Sequence, residues 1–275
     1  MEITLIIDLQ DHTGSSHKKT SLKLSSETTV EQLKGEIKSL FLIDKQHQEL
    51  YFKGDQILSL NSTLQRIGLK DENTIFVAGF KCKITNDGAN FGTFYTPDLR
   101  EIFVYKLLEL IKVGSEVHFI PNVLESTTGL YIATREVSGF KEAKNVTIDE
   151  DNNIQLELLQ NLLFLRDLRS NRSNYGLDRD GQLAIVDIQV ENHKGSKQSE
   201  MKSLIKTRRS QEVCKERISV WCLLTNINKA DAAITSTKNF LNNRIRIMET
   251  HEKTYEKYRK KIKSNVEFLN TQFSD

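Results

Sequence analysis

The spacing of apolar residues changes from period two to a helical period within the first 41 residues. MEITLIIDL (1–9) and TSLKLSS (20–26) have the apolar or alternating pattern of strands, and the Gly- and Ser-containing stretch between them predicts a turn. From residue 30 the apolar residues recur at helical spacing, at Val30, Leu33, Ile37 and Leu40. Thr29 stands before this run, as is common at a helix N-terminus. We therefore predict a β-hairpin followed by an amphipathic helix.

Further strands follow this helix. ELYFKGDQIL (49–58) predicts two short strands joined at Lys53-Gly54, STLQRIGL (62–69) a compact turn, and NTIFVAGF (73–80) a last strand. In this order of elements, residues 1–80 resemble a ubiquitin-like domain, which implies a β-grasp fold. The same resemblance implies a core made of Val30, Leu33, Ile37, Leu50, Leu64, Ile67 and Leu69.

The resemblance to ubiquitin also bears on function. Free ubiquitin ends in a Gly-Gly tail for conjugation, whereas this chain runs on through VAGFKCKITNDG (77–88), so we expect a fixed module. Ubiquitin is recognised through an apolar patch on its sheet, and by alignment Tyr51, Phe76 and Ala78 fall at or near that patch. The implied role of these residues is to bind a protein partner. The alternative is that Phe76 packs beneath the following domain.

The remaining residues predict a mixture of helices and strands. PDLREIFVYKLLELIKV (97–113) and IQLELLQNLLFLRDL (154–168) predict helices, EVHFIPN (116–122) and TGLYIATREV (128–137) predict strands, and QLAIVDIQV (182–190) predicts one buried strand. The last eighty or so residues predict helices. The predicted fold class of the chain is therefore α+β.

Within this second part, four segments resemble the atypical branch of the kinase-like superfamily, such as the phosphatidylinositol kinases and small-molecule phosphotransferases. They are RDLRSNRSNYG (166–176) and IVDIQ (185–189) as catalytic and metal-binding loops, REIFVYKLLELI (100–111) as the regulatory helix, and GLYIATREV (129–137) as the strand leading into the hinge. The resemblance implies a kinase-like domain over residues 81–275, with a partial N-lobe at 81–137 and a C-lobe with C-terminal helices at 138–275.

The resemblance also assigns roles to particular residues. Asp167 matches the catalytic base, Asn174 and Asp187 match the metal-binding amide and carboxylate, and Glu101 matches the glutamate of the regulatory helix. Lys81 or Lys83 is the candidate for the lysine that pairs with this glutamate. A working site of this kind would use Mg-ATP, because phosphoryl transfer depends on positioning and on charge neutralisation by magnesium.

Three departures from the kinase pattern weigh against catalysis. The position five residues after Asp167 is Arg172, so Asn174 comes two residues late, and Asp187-Ile188-Gln189 replaces the usual Asp-Phe-Gly. The glycines of NDGANFGTFY (86–95) follow the lysine candidates, whereas a kinase places its Gly-rich loop before them. We therefore expect no cofactor, and we favour a non-catalytic adaptor or pseudokinase in ubiquitin-linked interactions. An active atypical protein or lipid kinase is the alternative.

Taken without the resemblance, the same residues have simpler explanations. Asn171 and Asn174 are ordinary turn residues, and Asp167 could serve only to cap a helix end. Asp187 is harder to explain, because a carboxylate in an apolar strand is costly to bury unless it is paired.

Composition bounds the compartment and the partners. The three cysteines form no CxxC pair, no apolar run approaches the ~20 residues of a membrane span, and MEITLIIDLQ lacks a basic leader segment. We therefore expect an intracellular protein, cytoplasmic or nuclear, with no transmembrane segment. Residues 193–275 contain 18 Lys and Arg against 9 Asp and Glu. These basic helices could bind acidic partners or could simply be solvated.

Near the C-terminus, apolar residues follow a spacing of four and three. They are Leu241, Ile245, Met248, Tyr255, Ile262, Val266 and Leu269, with breaks at Glu252 and Arg259. This pattern predicts a long helix that either pairs between chains as a coiled coil or packs on its own domain. We expect the second arrangement and a monomer, because charged residues occupy two of the positions.

Overall fold

The structure is a computed structural model with the predicted α+β fold. It describes residues 1–10, 16–41, 43–53, 55–78, 80–84, 98–121, 130–166, 168, 170–191, 197–242 and 249–273. The chain forms two compact units, the first from Met1–Tyr95 and Val117–Glu136, the second from Thr96–Glu116 and Val137–Asp275. The domain boundaries expected after residues 80 and 137 stay a prediction, because compactness alone does not define an independently folding domain.

Five strands of the first unit form one mixed sheet in the order β2-β1-β5-β3-β4. They are β1 (Glu2–Gln10), β2 (Ser16–Ser25), β3 (Glu49–Phe52), β4 (Asp55–Gln56) and β5 (Thr74–Ala78). β1 and β5 are parallel, and the other neighbours are antiparallel. The helix α1 (Val30–Phe41) follows the first hairpin, as the change in period predicts.

The core of this sheet and helix matches the sequence expectation. Of the seven predicted core residues, six are buried and Ile67 is partly buried against the same cluster. The helix begins with a reciprocal cap at Thr29. Its Oγ1 accepts from the Gln32 backbone N–H at 3.2 Å, and the Gln32 side chain accepts from the Thr29 N–H at 2.8 Å. This capping box satisfies two donors that a helix start leaves unpaired.

A second, antiparallel sheet completes the first unit in the order β6-β8-β7. Its strands are β6 (Phe80–Ile84), β7 (Val117–Pro121) and β8 (Leu130–Arg135). Ala133 of β8 belongs to the hydrophobic core of the first sheet, and Arg135 donates a hydrogen bond to the His47 carbonyl. The second sheet is therefore packed on the β-grasp elements.

The second unit combines helices with short strands. Helix α2 (Leu99–Leu110) has the expected place, whereas α3 (Glu150–Leu162) begins and ends earlier than the helix predicted over residues 154–168. The last part of that prediction is wrong, because Phe164 has a positive φ of 51° and Leu165–Arg166 form a strand. The strands are β9 (Lys141–Glu142), β10 (Leu165–Arg166), β11 (Tyr175–Leu177), β12 (Leu183–Ile185) and β13 (Gln189–Val190). The expectation of one continuous strand over 182–190 is wrong, since β12 and β13 are separate. The N–H groups of Val186 and Asp187 both donate to the Asn174 carbonyl, at 2.9 and 3.4 Å, so the chain leaves the ladder there.

The C-terminal residues are helical, as predicted. The helices are α4 (Gln198–Leu204), α5 (Arg208–Val220), α6 (Leu223–Asn242) and α7 (Glu249–Gln272). Tyr255, Ile262, Val266 and Leu269 are buried, and α7 contacts α2, α3, α4 and α6. This supports packing of the helix on its own unit. Ile245 and Met248 lie outside the described residues, as does the side chain of Leu241. None of the described helices has the length and apolarity needed to cross a membrane.

Candidate functional site

The outward face of the first sheet carries one continuous row of paired residues. Strand register places Lys19 beside Asp8, Asp8 beside Phe76, Phe76 beside Tyr51, and Tyr51 beside Gln56. Successive strand residues point to opposite faces, and Leu50, Ile75 and Val77 are buried in the core. Tyr51 and Phe76 therefore lie together on the opposite face, as the predicted patch requires.

The two ends of this row differ in exposure. Asp8 is 1% exposed although it lies on the face away from the core, and its carboxylate lies 3.6 Å from Lys19 Nζ. β6 contacts both β1 and β2, so this end of the face is covered. Tyr51 and Phe76 are partly exposed, and Gln56 is exposed. The accessible part of the face is therefore on the β3–β4 side, centred on Tyr51. Ala78 pairs with Glu49 in the same register, and its side chain lies outside the described residues.

The N-terminal segment matches a known protein family. A sequence profile described as the Ubiquitin family matches residues 12–81, about a quarter of the chain. The N-terminal segment is a ubiquitin-like domain. No curated protein matches the chain.

Solved structures from different organisms are similar to the ubiquitin-like domain. The UBL domain of Plasmodium falciparum Dsk2 is 26% identical, with 28% of this chain and 97% of that one covered and a TM-score of 0.25. Caldiarchaeum subterraneum ubiquitin is 17% identical, with 27% and 91% covered and a TM-score of 0.24.

In the second unit, the structure brings Asn174 and Asp187 together. They flank the open end of the β11–β12 hairpin, in which Tyr175 pairs with Ile185. The Asn174 carbonyl accepts from the backbone N–H of Asp187 at 3.4 Å, and both side chains are partly exposed. An amide oxygen and a carboxylate are hard ligands that suit magnesium. The backbone hydrogen bond places these two residues at neighbouring positions, and a metal clamp formed by their side chains stays a prediction.

Helix α2 contributes a partner for Asp187 that sequence reasoning missed. The Tyr105 hydroxyl donates to Asp187 Oδ1 at 3.1 Å and accepts from the Ile188 N–H at 3.3 Å. Burial raises the pKa of the Tyr105 phenol well above its usual range, and the negative charges of Asp187 and Glu101 raise it further. Glu101, one turn earlier on α2, is itself buried. Two of the predicted residues, Glu101 and Asp187, therefore act on Tyr105, whereas Asn174 is joined to Asp187 only by the backbone hydrogen bond.

The structure does not describe the side chains of the other predicted residues of the kinase-like site. Asp167 lies outside the described residues, so its role as a base stays a prediction. Lys81 and Lys83 are on β6, opposite Thr134 and Ile132, but their side chains also lie outside the described part of the chain. Their pairing with Glu101 stays a prediction, and so does a cover over the phosphates, because NDGANFGTFY (86–95) is not described.

A pair of histidines in the first unit was also missed. The rings of His47 and His118 have centroids 6.4 Å apart, although 70 residues separate them in the sequence. Close by, a hydrogen bond from Lys38 lowers the pKa of the Asp44 carboxyl, and the two imidazoles lower it further. No local spacing in the sequence could have indicated this pair, because the contact depends on how β7 packs in the first unit.

The structure describes part of the basic surface that the sequence predicts on the C-terminal helices. Lys253, Lys257 and Lys260 are exposed on α7, while Lys261 lies over the Phe164 ring at 6.0 Å from its centroid. Binding of an acidic partner to these helices stays a prediction.

Proposed function

We propose that this protein is a non-catalytic adaptor or regulator whose ubiquitin-like domain docks a protein of the ubiquitin system. The observation that supports this function is the cross-strand pair of Tyr51 and Phe76 on the outward face of a ubiquitin-like sheet. Both rings are partly exposed, and the neighbouring end of the row at Gln56 is open. Aromatic side chains of this kind are common anchors in protein interfaces.

The test replaces Tyr51 with aspartate. We expect Tyr51→Asp to weaken binding of purified ubiquitin-binding domains by about 30-fold, since a desolvated aromatic anchor is commonly worth ~2 kcal/mol or more. Binding is measured by isothermal titration calorimetry on the full chain. The matched control is Leu58→Asp, which places the same charge on a side chain that is 76% exposed in the same domain.

The melting temperature separates a docking role from a structural one. If Tyr51 is a surface anchor, Tyr51→Asp should leave the melting temperature within a few degrees of the parent. Unfolding of the domain would show that Tyr51 belongs to the core. Equal loss of binding in Tyr51→Asp and Leu58→Asp would show that added charge, rather than this patch, is responsible.

The second candidate function is ATP-dependent phosphotransfer, favoured by the juxtaposition of Asn174 and Asp187. We expect little or no thermal stabilisation by Mg-ATP and no phosphotransfer above background, because loss of one positioning element typically costs 10²–10³ in rate. A shift of several degrees that both Asn174→Ala and Asp187→Asn remove would establish a nucleotide site. Asp180→Asn is the control, since it makes the same change at an exposed residue of the same hairpin turn. Phosphate transfer that Asp167→Ala abolishes would overturn the adaptor proposal.

A further inference from the structure

The second unit contains a cleft that is separate from the Asn174–Asp187 pair. Its volume is about 420 Å³, and it lies between the end of α2, the middle of α3, the tip of the β11–β12 hairpin and the junction of α5 with α6. Pockets for small organic molecules in proteins are roughly 300–1,000 Å³. Apolar groups on its lining come from Leu183, Val220 and Trp221, and amides come from Gln155, Gln182 and Asn226.

Arg217 lines this cleft and has an unused donor. Its Nε–H is buried and has no hydrogen-bond acceptor. A buried donor without an acceptor is costly, so a movement of the side chain that gave this N–H an acceptor would be favoured. Its Nη2 lies 3.2 Å from Glu216 Oε1, but that glutamate side chain is 60% exposed, and such pairs are weak. The Nε and Nη2 groups of an arginine form a fork that binds the two oxygens of a carboxylate or phosphate.

The charges around the cleft favour an anion. Lys112 also lines it and makes no ion pair with another described residue. The one lining carboxylate, Asp178, accepts through Oδ1 from the N–H groups of Asp180 and Gln182, at 2.9 and 2.8 Å, and so holds the hairpin turn. The last turns of α2 and α5 bring partial negative charge to the lining, and the first turn of α6 brings partial positive charge. Since a helix end carries about half a unit charge, these ends and the Asp178 carboxylate together are weaker than the two cations, which leave a small net positive charge at the cleft.

We propose that this cleft binds a small organic oxyanion, a carboxylate or phosphate monoester attached to a flat apolar group. Arg217 binds the anionic oxygens through its fork, Lys112 adds charge, and the apolar group packs against Leu183, Val220 and Trp221. An inorganic anion alone would leave most of the cleft volume unfilled, so the apolar part is needed for affinity.

The chain has a single tryptophan, Trp221, so its fluorescence reports on this cleft alone. We would titrate the full protein with benzoate, phenyl phosphate, inorganic phosphate and the neutral isostere benzamide. We expect a saturable change in emission with benzoate or phenyl phosphate, and at least tenfold weaker binding of inorganic phosphate and benzamide. The stronger of the two aromatic anions identifies the preferred headgroup. No saturable change with either, or binding of benzamide as tight as that of benzoate, would refute the proposal.

The variants test the role of Arg217. We expect Arg217→Met to weaken the aromatic anion at least tenfold, and Arg208→Met to leave it unchanged. Arg208 is the matched control because it lies on the same helix with a side chain that is 92% exposed. If Arg217→Met fails to fold, Arg217→Lys keeps the charge but loses the fork and should bind several-fold more weakly. Unaltered affinity in the folded Arg217 variant would overturn the assignment.

Discussion

Asn265 offers a direct test of how the second unit is stabilised. It lies on α7 with no exposed surface, among Ile262, Val266 and Leu269, which are also buried. Neither its side-chain oxygen nor its nitrogen has a hydrogen-bond partner. A buried amide that makes no hydrogen bond is a cost to the folded state. We therefore predict that Asn265→Leu, which removes the amide and keeps the number and branching of the side-chain heavy atoms, stabilises the protein.

The magnitude follows from three contributions. Relieving an unsatisfied buried amide is worth roughly 1–3 kcal/mol in protein mutational data. The change from Asn to Leu in a helix adds about 0.5 kcal/mol of propensity. Leucine shares the branching of asparagine, but its methyl groups are larger and its Cγ is tetrahedral, so imperfect packing takes back on the order of 1 kcal/mol. The expected net gain is about 1.5 kcal/mol in free energy of unfolding, or a rise of several degrees in melting temperature for a unit of this size.

The measurement is urea unfolding of the full chain followed by circular dichroism at 222 nm. Asn228→Leu is the control, because Asn228 is exposed on α6 and the same substitution there reports helix propensity alone. Asn265→Ala should gain less than Asn265→Leu, since it removes the amide but leaves a cavity. A loss of more than 1 kcal/mol in Asn265→Leu, with Asn228→Leu near neutral, would show that the Asn265 amide is paired after all.

Two further predictions concern pH and association. Burial raises the pKa values of Tyr105, Tyr255 and Tyr258, so the stability that these phenols contribute is fully present below the unfolded pKa of ~10 and is lost as the pH rises above it. Urea midpoints should fall between pH 8 and pH 11, and the tyrosinate absorbance of these three residues at 295 nm should appear only with unfolding. Titration of all seven tyrosines in the folded protein would contradict this. Light scattering should give a monomer near 31.6 kDa, because Tyr255, Ile262, Val266 and Leu269 are already buried within the chain. Ile262→Glu should then unfold the second unit, and a stable parent dimer that it dissociates without unfolding would refute the monomer.

The ubiquitin-like domain could be predicted from the sequence almost element by element. Its strands and helix are short and joined locally, and the change of period at residue 30 marks where the hairpin ends and the helix begins. The position of Ala133 in the same core could not be predicted, since it comes from β8, more than fifty residues after β5. Local patterns show which face of a strand is apolar, but not which distant sheet packs on it.

The candidate sites show the same limit. The resemblance to ubiquitin predicted that Tyr51 and Phe76 share one face of the sheet, and their register places them side by side, while their role in binding stays a prediction. The covering of Asp8 on the same face could not be foreseen, because it depends on the second sheet. Likewise Asp187 stood out as a carboxylate in an apolar run, but Tyr105 did not, because an apolar helix face commonly includes a tyrosine.

The hydrogen bond between Tyr105 and Asp187 gives one of the predicted metal-binding residues a structural role. Asp187 has a structural task, since its bond ties α2 to the segment between β12 and β13, and the Tyr105 hydroxyl also accepts from Ile188. A chain that had lost phosphotransfer would still be destabilised by losing this carboxylate, so its presence does not by itself indicate catalysis. The Asn174 side chain differs, because it makes no hydrogen bond with another described residue, and only its backbone carbonyl holds the hairpin. Substitution of Asn174 is therefore the better test of catalysis. If it removes nucleotide binding and leaves the fold intact, a metal clamp is indicated. Loss of nucleotide binding on substitution of Asp187 alone could come from loss of the metal ligand or from loss of the structural hydrogen bond.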